Sequence, residues 1–251
     1  VAGASTVVLA DDGGSEELQS LAHRLYVPYV QRSSITGARA GNINELLPRL
    51  SSELVVLLAA GQVPMPDLLT ATDRYFDDPD VAVVVCGSRD ATRARITHSA
   101  DDRHEQALDS EVTIPSLDRS GRLPWVEGPA VVRRDALIKV GGLAPQTQTP
   151  EYLTGLRLQR RGKLIRHHAE TLCETHGPQS VEALMRIRER STRGRWSTLR
   201  TADSPVWAGG LSIGARLGHA SLLIRPTMSI HKVVMIAVLI VTLFTGALPL
   251  Q

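Results

Sequence analysis

The sequence predicts an α/β fold, a doubly wound sheet with a parallel core followed by interfacial and transmembrane helices, and three observations predict it. Leu54–Leu58 is an unbroken apolar run, the mark of a strand buried on both faces. Strand-like and helix-like patterns alternate on either side of it, as βαβ units require. Near the C-terminus, Val233–Leu250 is uncharged and apolar after Lys232, and about 18 such residues suffice to span a bilayer.

The elements follow in order. Thr6–Ala10 reads as a short strand that ends in the turn Asp11-Asp12-Gly13-Gly14. Glu16–Leu25 carries Leu18, Leu21, Ala22 and Leu25 at helical spacing. Val27–Val30 is the next strand, and the loop Ser33–Gly41 leads to a short helix over Asn42–Leu50. The strand Leu54–Leu58 runs into Ala59-Ala60-Gly61, and a helix resumes at Pro66, a favoured first helical residue, and continues to Phe76. Asp77–Asp80 turns the chain into the strand Val81–Val85. Between Gly87 and Pro124, Arg, Asp, His and Ser dominate without a period, the pattern of a partly disordered surface excursion. Order returns with the strand Val126–Val132 and the helix Asp135–Val140, closed by Gly141-Gly142. A helix over Glu151–Arg161 ends at Gly162, and Leu164–His167 is a strand. Ser180 caps a long basic helix reaching Leu199, and Leu211–Ile224 is amphipathic enough to lie on a membrane surface. The chain thus divides into an α/β domain over 1–200, an interface segment over 201–231 and a membrane helix over 232–251.

Composition excludes some functions. A net charge of +2 over 251 residues is too small for an electrostatic nucleic-acid binder. Two cysteines far apart, Cys86 and Cys173, suggest a reducing compartment rather than a disulfide framework. Aromatic residues, at 4%, are few for a protein that stacks on sugars or bases. No secretory signal opens the sequence, since Val1-Ala2-Gly3 leads almost at once into a strand.

In open α/β sheets a ligand sits beyond the carboxyl ends of the strands. At the end of Leu54–Leu58 this chain offers two methyl groups and a hydrogen. Asp11-Asp12-Gly13-Gly14, also after a strand, can set a carboxylate against a base or ribose, or can be a plain acidic turn. Gly37–Asn44 places Arg39 and small residues before a helix N-terminus, a seat for phosphate, or an ordinary loop with Asn42 as cap. His167, His168, Cys173 and His176 lack the second half that a zinc site requires.

VVLADDGGSEEL, GARAGNIN and ELVVLLAAGQVPMPDLL, in that order, resemble family 2 inverting glycosyltransferases, and within them the bacterial cellulose synthase-like catalytic subunits. AVVRRDALIKVGGL, TPEYLTGLRLQRRGK and SPVWAGGLSIGARL extend the resemblance over most of the chain outside Gly87–Leu123. The resemblance implies a nucleotide-diphospho-sugar-transferase-like (GT-A) fold, here incomplete at the N-terminus, because the family has a further strand and helix before its Asp-Asp-Gly turn. It implies nucleotide contacts from Asp11 and Asp12, with Arg39 in place of a usual lysine. It also implies an Asp-x-Asp pair holding Mg²⁺ or Mn²⁺, which this chain replaces with Ala59-Ala60-Gly61, so metal ligands are expected to be absent.

The family's Thr-Glu-Asp general base corresponds to Thr149-Pro150-Glu151, which leaves Glu151 as candidate base or as a good first-turn residue. The family's Gln-x-x-Arg-Trp corresponds to Ile187–Ser191, which keeps Arg190 and, nearby, Arg193, while Trp196 falls on a different helical face. These arginines suit a diphosphate or a lipid-facing basic stripe equally. The resemblance implies sugar transfer from a nucleotide donor, a UDP-sugar, to a growing polysaccharide, in a member impaired by its lost metal ligands. An active enzyme working through Glu151, Arg190 and Arg193, and a non-catalytic nucleotide-sugar or lipid-binding module, are the alternatives. The expected partners are membrane lipid, an intact synthase and a nucleotide-sugar, at the inner membrane with the domain facing the cytoplasm.

Overall fold

The computed structural model describes residues 5–32, 36–91, 112–225 and 228–245. Its centre is a five-stranded sheet made of β3 (Leu54–Leu57), β4 (Gln62–Pro64), β5 (Val81–Asp90), β6 (Ala130–Arg133) and β7 (Leu164–Thr175), in the order β3-β6-β5-β7-β4. Two further strands, β1 (Leu9–Asp11) and β2 (Tyr29–Gln31), pair in parallel as a separate ribbon. The described helices are α1 (Glu16–Arg24), α2 (Ala38–Leu46), α3 (Leu68–Asp73), α4 (Ile114–Arg119), α5 (Arg134–Lys139), α6 (Pro150–Arg160), α7 (Val181–Arg200), α8 (Ile213–Ile224) and α9 (Met228–Phe244).

Both sheet faces are covered, which the period of two along the strands explains. Val83 and Val85 of β5, with Ala130 and Val132 of β6, pack with Trp125, Leu137 and Ile165 on one side. Cys86 and Val131 pack with Leu68 and Leu172 on the other. Leu153 and Leu156 of α6 form a smaller cluster with Leu223 of α8. This last cluster ties the C-terminal helices to the α/β body.

The expected parallel core is corrected to a mixed sheet. β5 and β7 are parallel, but β6 lies between β3 and β5 and runs against both, and β4 runs against β7. Alternation of pattern predicts parallel neighbours only when a helical crossover returns the chain. β6 is instead reached through a long stretch that leaves either direction open. Two other boundaries move. The segment read as an excursion contributes the end of β5, helix α4 and the buried Leu123, while residues 92–111 lie outside the described residues. The strand β4 is inserted between Gly61 and the following helix, where none was expected; as an edge strand it tolerates Pro64.

The membrane-spanning helix expected over 232–251 is not shown by the described residues. Among the described residues no helix is long and apolar enough to cross a membrane. Helix α9 begins earlier, at Met228, and its 17 residues amount to about 26 Å, short of a hydrocarbon core about 30 Å thick. The last residues of the expected span, 246–251, lie outside the described residues. What α9 does show is apolar exposure, with Val233, Met235, Val238 and Val241 each more than half exposed.

Helix α8 is held by a buried polar pair. The Tyr152 hydroxyl lies 3.2 Å from His219 Nδ1 and 3.3 Å from the His219 carbonyl. One arrangement satisfies both contacts: the hydroxyl donates to the carbonyl and Nδ1–H donates to the hydroxyl. The bare Nε2 is then left in the core, where it has no partner. Burial lowers the His219 pKa to about 4. A histidine that stays neutral when folded but takes a proton near pH 6.5 when unfolded costs stability as pH falls through that window. The stability of the chain is therefore expected to drop by about 2 kcal/mol from this residue between pH 7 and pH 5. Urea midpoints of the wild type and of His219→Gln at the two pH values check it, since the variant must lose that part of the slope.

Candidate functional site

The acidic turn after β1 is tightly tied down. Asp11 Oδ1 accepts from Gly13 N at 2.8 Å, and its Oδ2 accepts from Ser15 N at 2.9 Å and from the Tyr29 hydroxyl at 2.8 Å. Donation from Ser15, then Gly13, then Tyr29, holds the carboxyl below its usual value. Asp12 takes a two-pronged bond from Arg32, with Nε 2.8 Å from Oδ1 and Nη2 2.9 Å from Oδ2. The same guanidinium donates to the carbonyls of Thr36 at 3.0 Å and Ala38 at 3.2 Å, so it joins the turn to the start of α2. Arg32 has a side chain only 5% exposed. It is the organising residue of this region, and the sequence flags it only as a charge at the end of a strand.

Helix α2 starts four residues before the expected Asn42, and this shift decides what Arg39 does. Gly37, in the left-handed region at φ 78°, precedes the helix and supplies no side-chain cap. Arg39 therefore sits in the first turn, beside amide ends that favour an anion. Its guanidinium donates to Glu151 Oε1. Glu151 stands in the first turn of α6, after Pro150 at the position where a proline is least costly. Its side chain is 3% exposed and that of Arg39 is 30% exposed. Burial pushes the Glu151 carboxyl above the usual carboxylate range; the Arg39 charge pulls the other way, and the nearby Glu127 carboxylate adds to the rise.

Glu127 in turn holds Arg190 of α7, whose Nη2 lies 2.9 and 3.1 Å from its two oxygens. Arg39–Glu151 and Glu127–Arg190 are thus two ion pairs between α2 and α7, linked only by the repulsion between their carboxylates. Glu127 was not legible as a site residue, because a lone glutamate in Trp125-Val126-Glu127-Gly128 matches no spacing. Arg193 pairs with Glu189 on its own helix at 2.6 Å and, with Trp196, Ser197 and Arg200, lines an open cleft of about 490 Å³. The structure places Arg190 on Glu127 and Arg193 at the cleft.

The stretch that leads into α6 packs closely against α7. Gly194 O accepts from Thr147 Oγ1, Ser197 Oγ and Thr198 Oγ1 at 2.8–3.2 Å. A Cβ on Gly194 would lie 2.5 Å from Thr149 Cγ2 and 2.8 Å from Thr149 N. Only a glycine lets the long helix approach the residue that leads into Glu151.

Ala59-Ala60-Gly61 forms the tight link from β3 to β4, with Gly61 at φ 83°. Ala59 O accepts from Gln62 N at 3.1 Å, Ala59 N donates to Gln62 Oε1 at 2.8 Å, and Gly61 O lies 3.2 Å from His176 Nδ1. Among the described residues no group of three or more His, Cys, Asp or Glu is placed to hold a metal ion.

A mixed sheet covered on both faces, with an acidic turn after one strand and a basic helix start after another, is the architecture of a GT-A-like nucleotide-diphospho-sugar transferase. The solved structures agree on the fold. A mannosyltransferase from Pyrobaculum calidifontis, solved with GDP-Man and Mn2+, superposes with a TM-score of 0.60 at 16% identity over 95% of this chain and 71% of its own. Residues 1–349 of S. aureus TarS, solved with UDP-GlcNAc, give 0.56 at 10% identity over 89% of this chain and 64% of theirs.

The family model of glycosyl transferase family group 2 matches residues 54–248, and the chain belongs to that family. Among curated relatives, the cellulose synthase catalytic subunit (UDP-forming) of Xanthomonas axonopodis pv. citri is 27% identical over 248 residues, 93% of this chain and 32% of its own length. Its counterpart in Pseudomonas fluorescens is 26% identical over 254 residues, 96% of this chain and 33% of its own length. The chain spans about a third of the length of the curated relatives it matches.

A divalent metal is implied by the family resemblance, and the residues present do not fit one. A hard cation needs several oxygen ligands, carboxylates first. At 59–61 there is no side-chain oxygen, and the carbonyls of Ala59 and Gly61 already have partners.

Proposed function

We propose that this chain is a cellulose synthase-like family 2 glycosyltransferase homologue that binds a nucleotide diphosphate and is impaired in sugar transfer. The observation that carries the reading is the Ala59-Ala60-Gly61 link, whose geometry is satisfied internally and offers no ligand for a cation that would neutralise a departing diphosphate. Arg39 at the uncapped start of α2 supports a retained seat for phosphate. The parent donor is a UDP-sugar and the parent acceptor a polysaccharide.

The exposed apolar residues of α8 and α9, among them Ile213, Leu217, Val233 and Met235, support contact with the inner membrane from the cytoplasmic side and with an intact synthase there. A reading as an active enzyme rests on Glu151, buried with a raised pKa as a general base needs. Arg39 occupies that carboxylate, which weighs against it.

Titration of the purified chain with UDP, with and without Mn²⁺, tests the proposal. Binding that is indifferent to Mn²⁺, with no turnover of UDP-glucose, is expected. Installing carboxylates with Ala59→Asp and Gly61→Asp should make binding metal-dependent. Manganese-dependent binding by the unaltered chain overturns the impairment, and absence of binding overturns the seat.

A further inference from the structure

We propose that a bound diphosphate and Glu151 compete for Arg39, so that nucleotide binding loads a proton onto Glu151. This rests on the nucleotide seat proposed above and adds how that seat is regulated.

The ion pair is asymmetric. The Arg39 side chain keeps 30% of its surface in solvent, while Glu151 is sealed at 3%. An arriving anion can therefore reach the guanidinium and cannot reach the carboxylate. A diphosphate brings more charge than one carboxylate, and its oxygens also meet the free amide ends of α2, which has no side-chain cap. Arg39 then turns from Glu151 to the phosphate.

Glu151 is left buried without its counter-ion. The groups that face it are Arg39 from α2, Glu127 from the stretch before β6, and the backbone of its own helix start. Glu127 has the wrong sign to help. Arg190 of α7 is engaged by both oxygens of Glu127, so it is not available as a substitute. Burial and a neighbouring like charge both favour the neutral acid. One proton enters from solvent, no covalent bond changes, and Glu151 becomes a carboxylic acid. By linkage the effect is reciprocal: acidification that protonates Glu151 tightens nucleotide binding.

The experiment is calorimetric titration of the full chain with UDP at about pH 6, in two buffers of different ionisation enthalpy, for the wild type, Glu151→Gln and Arg39→Gln. In the wild type the apparent enthalpy is expected to change with buffer in the sense of proton uptake. Glu151→Gln is expected to bind UDP about tenfold more tightly and to show no buffer dependence, because its neutral amide no longer competes for Arg39. Arg39→Gln should weaken binding and also lose the buffer dependence. If Glu151→Gln does not fold, the wild-type buffer dependence decides alone. UDP binding by the wild type with no proton uptake overturns the coupling and leaves the nucleotide seat standing. No binding by the wild type or either variant overturns the seat, and the coupling with it.

Discussion

Asp12→Ala is expected to destabilise the chain by about 3 kcal/mol, an effect set by the arginine it abandons. Arg32 has a 5% exposed side chain and spends Nε and one Nη2 contact on Asp12, with one Nη1 contact on Thr36 O and a second Nη2 contact on Ala38 O. Removing the carboxylate strands a buried guanidinium with two unmet donors. Asp12 itself is 25% exposed, which places the cost at the lower end of what breaking a buried pair entails. Denaturant unfolding of Asp12→Ala, Asp12→Asn and the double variant Asp12→Ala with Arg32→Leu separates the contributions. The amide keeps a hydrogen-bond acceptor and should lose less. The double variant removes the stranded charge and should recover part of the loss. Were Asp12 purely a ligand for a nucleotide, the unliganded protein would not notice its removal.

The second large effect lies at Gly194. Gly194→Ala puts a methyl 2.5 Å from Thr149 Cγ2, 2.7 Å from Thr149 Oγ1 and 2.8 Å from Thr149 N. The first two atoms belong to a short side chain and the third is backbone, so rotation alone cannot relieve the clash. A loss of about 2–3 kcal/mol is expected, in the range of overpacked interiors, despite the gain in helix propensity that alanine brings. Thr149→Gly in the same chain removes two of the three conflicts and should restore part of the loss. Because Thr149 leads directly into Pro150 and Glu151, the Glu151–Arg39 contact should loosen as well, and UDP affinity should shift with the melting temperature. A variant that melts like the wild type would show that α7 does not approach α6 this closely.

Much of this was open to inspection in the sequence, and the exceptions have physical causes. The helix over Val181–Arg200 announced itself through Ser180, whose hydroxyl accepts from Ala183 N at 3.1 Å. The helix starting at Pro150 was set by a proline at its first position. The run Leu54–Leu58 was a strand, but β3 is only partly buried and stands at an edge among the described residues, since continuous apolarity does not encode position in a sheet.

The direction of β6 was hidden for a similar reason: Ala130–Arg133 reads alike from either end. Arg39 and Glu151 were each legible by resemblance, yet their pairing was not, because it joins side chains 112 positions apart. Arg32 and Glu127 escaped altogether. A buried arginine and a half-exposed glutamate carry no period, and their importance lies wholly in what the fold brings against them.

The short strand β4 has a consequence for how the molecule is made. Its three residues pair with Thr175, Glu174 and Cys173, partners on the order of a hundred residues further along the chain, and such non-local pairings are slow to form. Beyond its own turn, the Ala59–Gly61 link is held among the described residues by that pairing and by His176. A nascent chain halted before β7 therefore leaves β4 without its partner and one edge of β5 open, the kind of surface that recruits chaperones or a neighbouring strand. Completion of β7 ends that exposure, so the loop nearest the expected chemistry is among the last parts of the sheet to acquire its shape.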